Sequence, residues 1–509
     1  MIDLIASLTP DAIVRHAPVL IVALPLILAP IAAIIPSGRA AWSISLIAAL
    51  FVGWMALILF GQVAEHGVIE YAMGGWQAPL GIVYRVDALN LQVLALIGTI
   101  GLLCVFYALP TVSDEIDGKQ QPLFYSAFLI CFAGLLGVTI TGDAFNVFVF
   151  VEISSLATYA LIAMGAGKDR RALTASYNYL VLGTIGATFF VIGVGFLYMA
   201  TGTLNMADMA SILAENGHNR VTQAAFAFIV VGLGLKAAMF PLHVWLPNAY
   251  ATAPSFVTAF LASTATKVAF YALIRFIYGV YHPEGAGFVM MAFTWVFAVV
   301  GVIGMLFASL QAVFQTDPRR LLAYSSVAQV GYMMLGLGLG NVAGLAAALL
   351  HLVNHAIMKG TLFMALGAFG LKFGIRRISD LNGLGRTMPA AAIAFTVAGI
   401  SLVGVPLTIG FTSKWYLILA VLERGWWWAV AAVIISSLLA LAYIARMLAA
   451  IWMEEAPKRD GKPVQSTRAP WMVLAPMSLL AFANVYFFFN ADPLVSLAQR
   501  AAAAVMVGH

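Results

Sequence analysis

Long apolar runs separated by short polar stretches recur from about residue 18 to residue 489 of this chain. At about 20 apolar residues per membrane crossing, they predict about fourteen helices. The runs are 18–36, 41–61, 90–110, 124–141, 143–164, 174–200 and 223–247, then 255–278, 287–309, 321–340, 342–371, 388–422, 427–453 and 470–489. The longest, 388–422, exceeds a straight crossing and contains Pro406, so a break is expected there. Pro241 predicts a second break, in 223–247. Between the second and third runs, QVAEHGVIEYAMGGWQAPLGIVYRVDAL (62–89) sets β-formers among glycines and predicts a small hairpin.

The composition, 63% hydrophobic and 9% charged, excludes a soluble domain, which carries about 25% charged residues. An all-α polytopic membrane protein is the fold class it leaves. The net charge of +5 is dispersed over short loops, without a basic patch that would point to nucleic acid. Cys104 and Cys131 both lie in apolar runs and have no metal-ligand spacing, so no disulfide, zinc or iron–sulfur centre is expected. The N-terminal stretch does not resemble a cleaved signal peptide.

Loop charge sets an orientation. Arg39, Lys119, Lys168, Arg170, Arg171 and the basic 454–468 segment are among the residues that fall on one side. Arg15, Arg85, Arg220, Arg424 and Arg500 fall on the other. This bias of roughly three to one predicts both termini on the outer side of the membrane.

The sequences KAAMFPLHVWLP (236–247) and GVPLTIGFTSK (404–414) each pair a lysine with a helix-breaking proline, in opposite order. Transporters place such breaks at corresponding positions of inverted repeats. The chain thus divides into 1–123 (helices one to three), a five-helix unit 124–278, a second unit 287–453, and a basic loop with the last helix, 454–509.

Few ionisable residues remain inside the runs: Glu152, Lys236, Lys267, Lys359, Lys414, His243, His351 and His355. A lysine at mid-bilayer costs about 2.5–3.5 kcal/mol, so such residues are rare and usually functional. Glu152 is either a protonated acid hydrogen-bonded within the bundle or paired with a base. Lys236 is the natural base. At about 4 Å and an effective dielectric near 20 the pair is worth roughly 4 kcal/mol, close to what burial costs the charged amine. A small movement of Glu152 would then decide whether Lys236 keeps its proton. His351, His355 and Lys359 stand at i, i+4 and i+8 on one helical face, a polar stripe suited to proton relay. The alternative is a hydrogen-bonded polar core. A metal site lacks a further ligand there. His243 faces the opening at Pro241 as an accessory relay residue or a packed ring, and Lys359 is likewise an accessory station. Arg275 and Arg446 read as anchors that snorkel to the interface.

The stretches GDAFNVFVFVEISSLATYAL, GLKAAMFPLHVWLPNAYATAP, ASTATKVAFYALIRF, HLVNHAIMKGTLF and PLTIGFTSKWYL carry a resemblance over about 120–455. The chain resembles the antiporter-like proton-channel subunits shared by respiratory complex I, membrane-bound hydrogenases and Mrp-type multisubunit Na⁺/H⁺ antiporters. The resemblance implies fourteen helices, two inverted repeats and a central polar axis. By motif position it makes Glu152 and Lys236 the glutamate–lysine pair and Lys267 the bridging lysine. His351 and His355 become the relay histidines, and Lys414 the terminal residue of the second broken helix. Asn248, Lys414 and the absence of a long C-terminal extension make the D-type antiporter subunit the most similar member.

The function expected is proton translocation along the Lys267–His351/His355–Lys414 axis, with Glu152 biasing release at Lys236. The chain would work beside other membrane subunits in a bacterial inner (plasma) membrane, exchanging protons for Na⁺, without a cofactor or redox centre. The rival is a pumping subunit of a redox complex, quinone- or hydrogenase-linked. A membrane acyltransferase using His351 and Asn354 would leave Glu152 and Lys236 unexplained.

Overall fold

A computed structural model describes residues 9–281, 287–455 and 468–506. Most of the basic 454–468 segment lies outside the described residues. The chain opens with α1 (Asp11–Ile34) and α2 (Gly38–His66). The expected hairpin follows, β1 (Ile69–Ala72) pairing antiparallel with β2 (Val83–Val86). Next come α3 (Ala88–Glu115), α4 (Gln121–Ile140), α5 (Ala144–Ala163), α6 (Arg171–Thr201) and the short α7 (Met206–Asn216). The middle of the chain holds α8 (Arg220–Lys236), α9 (Trp245–Thr252), α10 (Ser255–Ser263), α11 (Ala265–Gly279), α12 (Gly287–Val313), α13 (Pro318–Gly338) and α14 (Val342–Phe373). The last part holds α15 (Leu384–Thr387), α16 (Pro389–Val403), α17 (Ile409–Glu423), α18 (Trp427–Trp452), α19 (Trp471–Phe489) and α20 (Asp492–Met506).

Among the described residues, twelve helices are long and apolar enough to cross a membrane, or thirteen if the bent pair Ile378–Thr387 and Pro389–Val403 is one span. The expectation of about fourteen differs for a physical reason. The runs at 223–247 and 388–422 are each laid down as two helices, α8/α9 and α16/α17, none long enough to span alone. Ala238 (φ 56°) and Leu407 (φ 73°) sit in these two interruptions. Among the described residues they are the non-glycine ones held in the left-handed region, a strained conformation that clusters at functional sites.

Caps fix where the helices begin. Asp87 and Asn90 form a capping box at α3, Asn219 and Thr222 another at α8, and Asp317 caps α13 just before Pro318. Glycine faces set helix spacing. Gly186 of α6 meets Gly232 of α8, and Gly301 of α12 meets Gly331 of α13, backbone against backbone. The span Ser255–Gly279 and helix α13 are each 94% buried, against 39% for α1, so α10, α11 and α13 form the centre. Helix α14 packs against α10, α13, α16, α17 and α19. The C-terminal amphipathic α20, which the apolar runs gave no sign of, seals α14, α3 and α11 at the hairpin end.

Candidate functional site

Lys236 is the last residue of α8, so its ammonium lies at the negative end of a helix whose final carbonyls have no helical partner. Its side chain is buried. Nζ donates to Ser155 Oγ and, at 3.2 Å, to Tyr159 Oη. It also lies 5.6 Å from the ring centres of Tyr159 and Tyr179, within cation–π range. Tyr179 stacks on Trp245 at 3.8 Å, and Trp245 donates its indole N–H to Leu235 O. The first residue of α9 is thereby tied back to the end of α8. Gly183 leaves the room this cage needs, since a Cβ there would overlap the Tyr159 hydroxyl.

The expected ion pair does not form as a contact. Among the described residues Glu152 has no basic partner within 4.0 Å, and its Oε1 reaches no protein donor. Glu152 stands three residues before Ser155 on α5, on the same side of that helix as the oxygen that holds Lys236. An amine taken from water needs acceptors for its protons. The hydroxyls three and seven residues along α5 supply them, and so hold Lys236 one turn away from Glu152. A cavity of about 30 Å³, enough for a water molecule, adjoins Lys236; Ser154, Ser155 and Thr158 line one part of it, and apolar side chains including Leu135, Val138, Ala265 and Val268 line the rest.

Lys267 is fully buried in the first turn of α11. The run 255–278, expected as one helix, is interrupted at Thr264 (φ −125°, ψ −59°). This frees the Ala262 carbonyl, and Lys267 Nζ donates to it and, at 3.4 Å, to Thr266 Oγ1. Among the described residues no histidine hydrogen-bonds Lys267.

On α14 the polar stripe is present. His351 is held at both ring nitrogens, Nδ1 by Ser413 Oγ and Nε2 by Gln329 Oε1, each at 2.9 Å. The His351 and His355 rings are nearly parallel with centres 6.2 Å apart. Neither nitrogen of the buried His355 reaches a protein partner, an arrangement that ordered water normally satisfies. Lys359 Nζ donates to Ser325 Oγ and, at 2.7 Å, to Leu322 O. Lys414, in α17, caps the end of α16 by donating to Leu402 O (3.1 Å) and Val403 O (2.9 Å), with Ser437 Oγ at 3.0 Å. Ser413, its neighbour in sequence, meets His351 Nδ1 and donates to Gly410 O at 3.3 Å. His243 lies beyond Pro241 beside Phe240 and Tyr324, its Nδ1 without a protein partner. Pro406 lies in the α16/α17 interruption.

The four lysines share one construction. Each is buried, each is held by hydroxyl or carbonyl oxygens, and none is in an ion pair among the described residues. Tyr159, Tyr179, Ser325, Tyr332 and Ser437 complete these cages and Gln329 holds His351; none of the six stands out in the sequence. Arg446 donates to Val313 O at 2.7 Å. Arg275 does not snorkel. Its guanidinium makes a buried two-point pair with Asp87, at 2.7 and 2.8 Å. No group of three or more His, Cys, Asp or Glu side chains among the described residues is placed to hold a metal ion.

A family model described as "NADH:quinone oxidoreductase/Mrp antiporter, TM" matches residues 141–440. The chain is 42% identical over 476 residues to NADH-quinone oxidoreductase subunit N of Desulforudis audaxviator, covering 91% of this chain and 93% of that one. It is 31% identical over 453 residues to the D-type subunit of the Na⁺/H⁺ antiporter from Alkalihalophilus pseudofirmus, covering 89% of each. Its fold is similar to a chain of the Mrp complex from Dietzia sp., with a TM-score of 0.88, 27% identity and coverage of 97% and 98%. Asn248 and Lys414 therefore do not single out the D-type member, since the identity to a subunit N is higher.

Proposed function

Because the chain belongs to the NADH:quinone oxidoreductase/Mrp antiporter transmembrane family, we propose that it moves protons through the membrane in an assembly of several subunits. One observation carries this reading: four buried lysines donate to neutral oxygens, with no carboxylate in contact among the described residues. A carboxylate in contact would fix each amine as a cation. Hydroxyl and carbonyl cages, with a carboxylate only within electrostatic reach, leave the charged and neutral forms closer in energy. Such an amine can accept a proton and give it up.

The route runs from Lys236, through the cavity it shares with α11, to Lys267. It continues along His355 and His351 of α14, through Ser413 to Lys414. Glu152 biases the first station from one turn away, and His243 and Lys359 flank the route. We place 124–278 and 287–453 as two inverted five-helix units. In support, each interruption has a lysine, Lys236 ending the helix before it and Lys414 reaching back to cap the helix before it, and a non-glycine residue in the left-handed region. Both termini and the hairpin are placed outside, in a bacterial plasma membrane.

A monovalent cation/proton antiporter assembly is the form favoured by the 31% identity to a D-type antiporter subunit and the fold similarity to a chain of the Mrp complex, with Na⁺ crossing elsewhere in the assembly. Redox-driven pumping is the second reading, favoured by the 42% identity to a subunit N. The chain would hold no redox centre in either. Everted vesicles bearing the whole assembly separate them: proton movement starts on adding Na⁺ in the first case and on adding a reductant in the second. Lys236→Ala should abolish it in both with the assembly intact, and wild-type transport by that variant would overturn the proposal.

A further inference from the structure

Lys267, Tyr271 and Arg275 stand at i, i+4 and i+8 on α11, one face spanning about 12 Å. Lys267 is at the interior end. Arg275 is at the hairpin end, where with Asp87, Arg85, Thr141 and Asn205 it lines an open cleft of about 380 Å³. The Arg275 guanidinium donates through Nη1 to Asp87 Oδ2 (2.7 Å) and through Nη2 to Asp87 Oδ1 (2.8 Å). The two side chains are only 11% and 12% exposed. Arg275 Nε donates to Tyr271 Oη at 3.1 Å, and the hydroxyl of Tyr271 donates to Thr139 O at 2.8 Å.

This column along one face of α11 leads from a buried proton station toward water, and the Tyr271–Arg275–Asp87 hydrogen bonds in it cannot conduct. An arginine does not deprotonate in a protein, and the single hydroxyl hydrogen of Tyr271 is committed to a backbone carbonyl. Pores use a fixed guanidinium in this way, as an electrostatic barrier against protons and cations. We propose that Arg275 is a plug that closes the Lys267 path to the hairpin-side cleft, with Asp87 as the counter-charge that seats it. This rests on the reading of Lys267 as a proton station.

A structural clamp would depend equally on both partners of the pair, whereas a plug depends on the cation alone. The test is passive proton leak through the complete assembly in proteoliposomes with a trapped pH dye and a K⁺/valinomycin potential, without Na⁺ or reductant. Arg275→Gln leaves a carboxylate in the column and should raise the leak about tenfold, the factor set by two unit charges about 12 Å apart at an effective dielectric near 20. Arg275→Lys and Asp87→Asn keep the cation and should stay as tight as wild type. Arg275→Gln combined with Lys267→Met should return to the wild-type leak. Should Arg275→Gln fail to accumulate, the double variant R275Q/D87N buries no unpaired charge and should leak more than Asp87→Asn, from which it differs only by the missing cation. No rise in either, equal leak in R275Q and D87N, or a leak indifferent to Lys267 would overturn the plug. If the plug fails while Lys236→Ala still abolishes transport, the proton-translocation reading stands.

Discussion

Replacing Ser155 with alanine removes the acceptor that anchors the Lys236 ammonium and leaves the backbone of α5 untouched. What remains is Tyr159 Oη at 3.2 Å and two ring faces at 5.6 Å. A hydrogen bond to a charged group contributes about 1.5–3 kcal/mol. At 1.36 kcal/mol per factor of ten, the charged form of Lys236 is disfavoured roughly 10- to 150-fold. If protons pass through that charged form, transport near neutral pH should fall at least about tenfold, the lower end of that range. The assembly should persist, because the Ser155 hydroxyl otherwise only donates back to Val151 O and its loss merely enlarges a small existing cavity. Dye-reported proton uptake by everted vesicles, normalised to the amount of assembled protein, measures the effect. Ser155→Thr keeps the hydroxyl and should recover most of the rate. Wild-type transport by Ser155→Ala beside an inactive Lys236→Ala would refute the claim that the oxygen cage sets the proton occupancy of Lys236.

Three further expectations concern the surroundings. Gly183→Ala would push a methyl against the Tyr159 hydroxyl and within 3.2 Å of Lys236 Nζ; overpacking of this kind costs about 1–3 kcal/mol, read as a lower melting temperature in detergent together with reduced transport. Gln329→Leu strips His351 Nε2 of its partner and leaves a buried polar atom unpaired at a cost of about 1–3 kcal/mol; transport should drop, and Gln329→Glu, which keeps an acceptor, should retain more of it. Burial alone would raise the Asp87 carboxyl, but Arg275, with Arg85 behind it, outweighs burial and holds the group below its ordinary value. Its contribution to stability is then fully present above the unfolded value of about 3.9 and is lost as pH falls through the lower folded value. Asp87→Asn should therefore lose less stability than wild type below about pH 4 in thermal unfolding.

What could be read from the residues was whatever depends on local pattern. Apolar runs of crossing length gave the helices, and ionised groups are so costly in those runs that the buried lysines and histidines stood out. The α14 stripe followed from a four-residue period. What depends on distant partners was not legible. The hydroxyls that hold Lys236 lie 81 and 77 residues away in sequence, Gln329 is 22 residues from His351, and Asp87 is 188 residues from Arg275. Arg275 was accordingly read as an anchor, and Glu152 as the contact partner of Lys236, because its position one turn short of Ser155 matters only once α8 is docked. The interruption at Thr264 carries neither proline nor glycine. Helix α20 is too short and too polar-faced to register as a crossing.

Ordered water is the most direct witness to a proton route through these cages. A cryo-electron microscopy map of the intact assembly, sharp enough to show bound solvent, should reveal water in the cavity beside Lys236 and at both free nitrogens of His355, continuing to Lys414. Apolar side chains closed tightly around each of the four lysines, with no solvent between them, would contradict it.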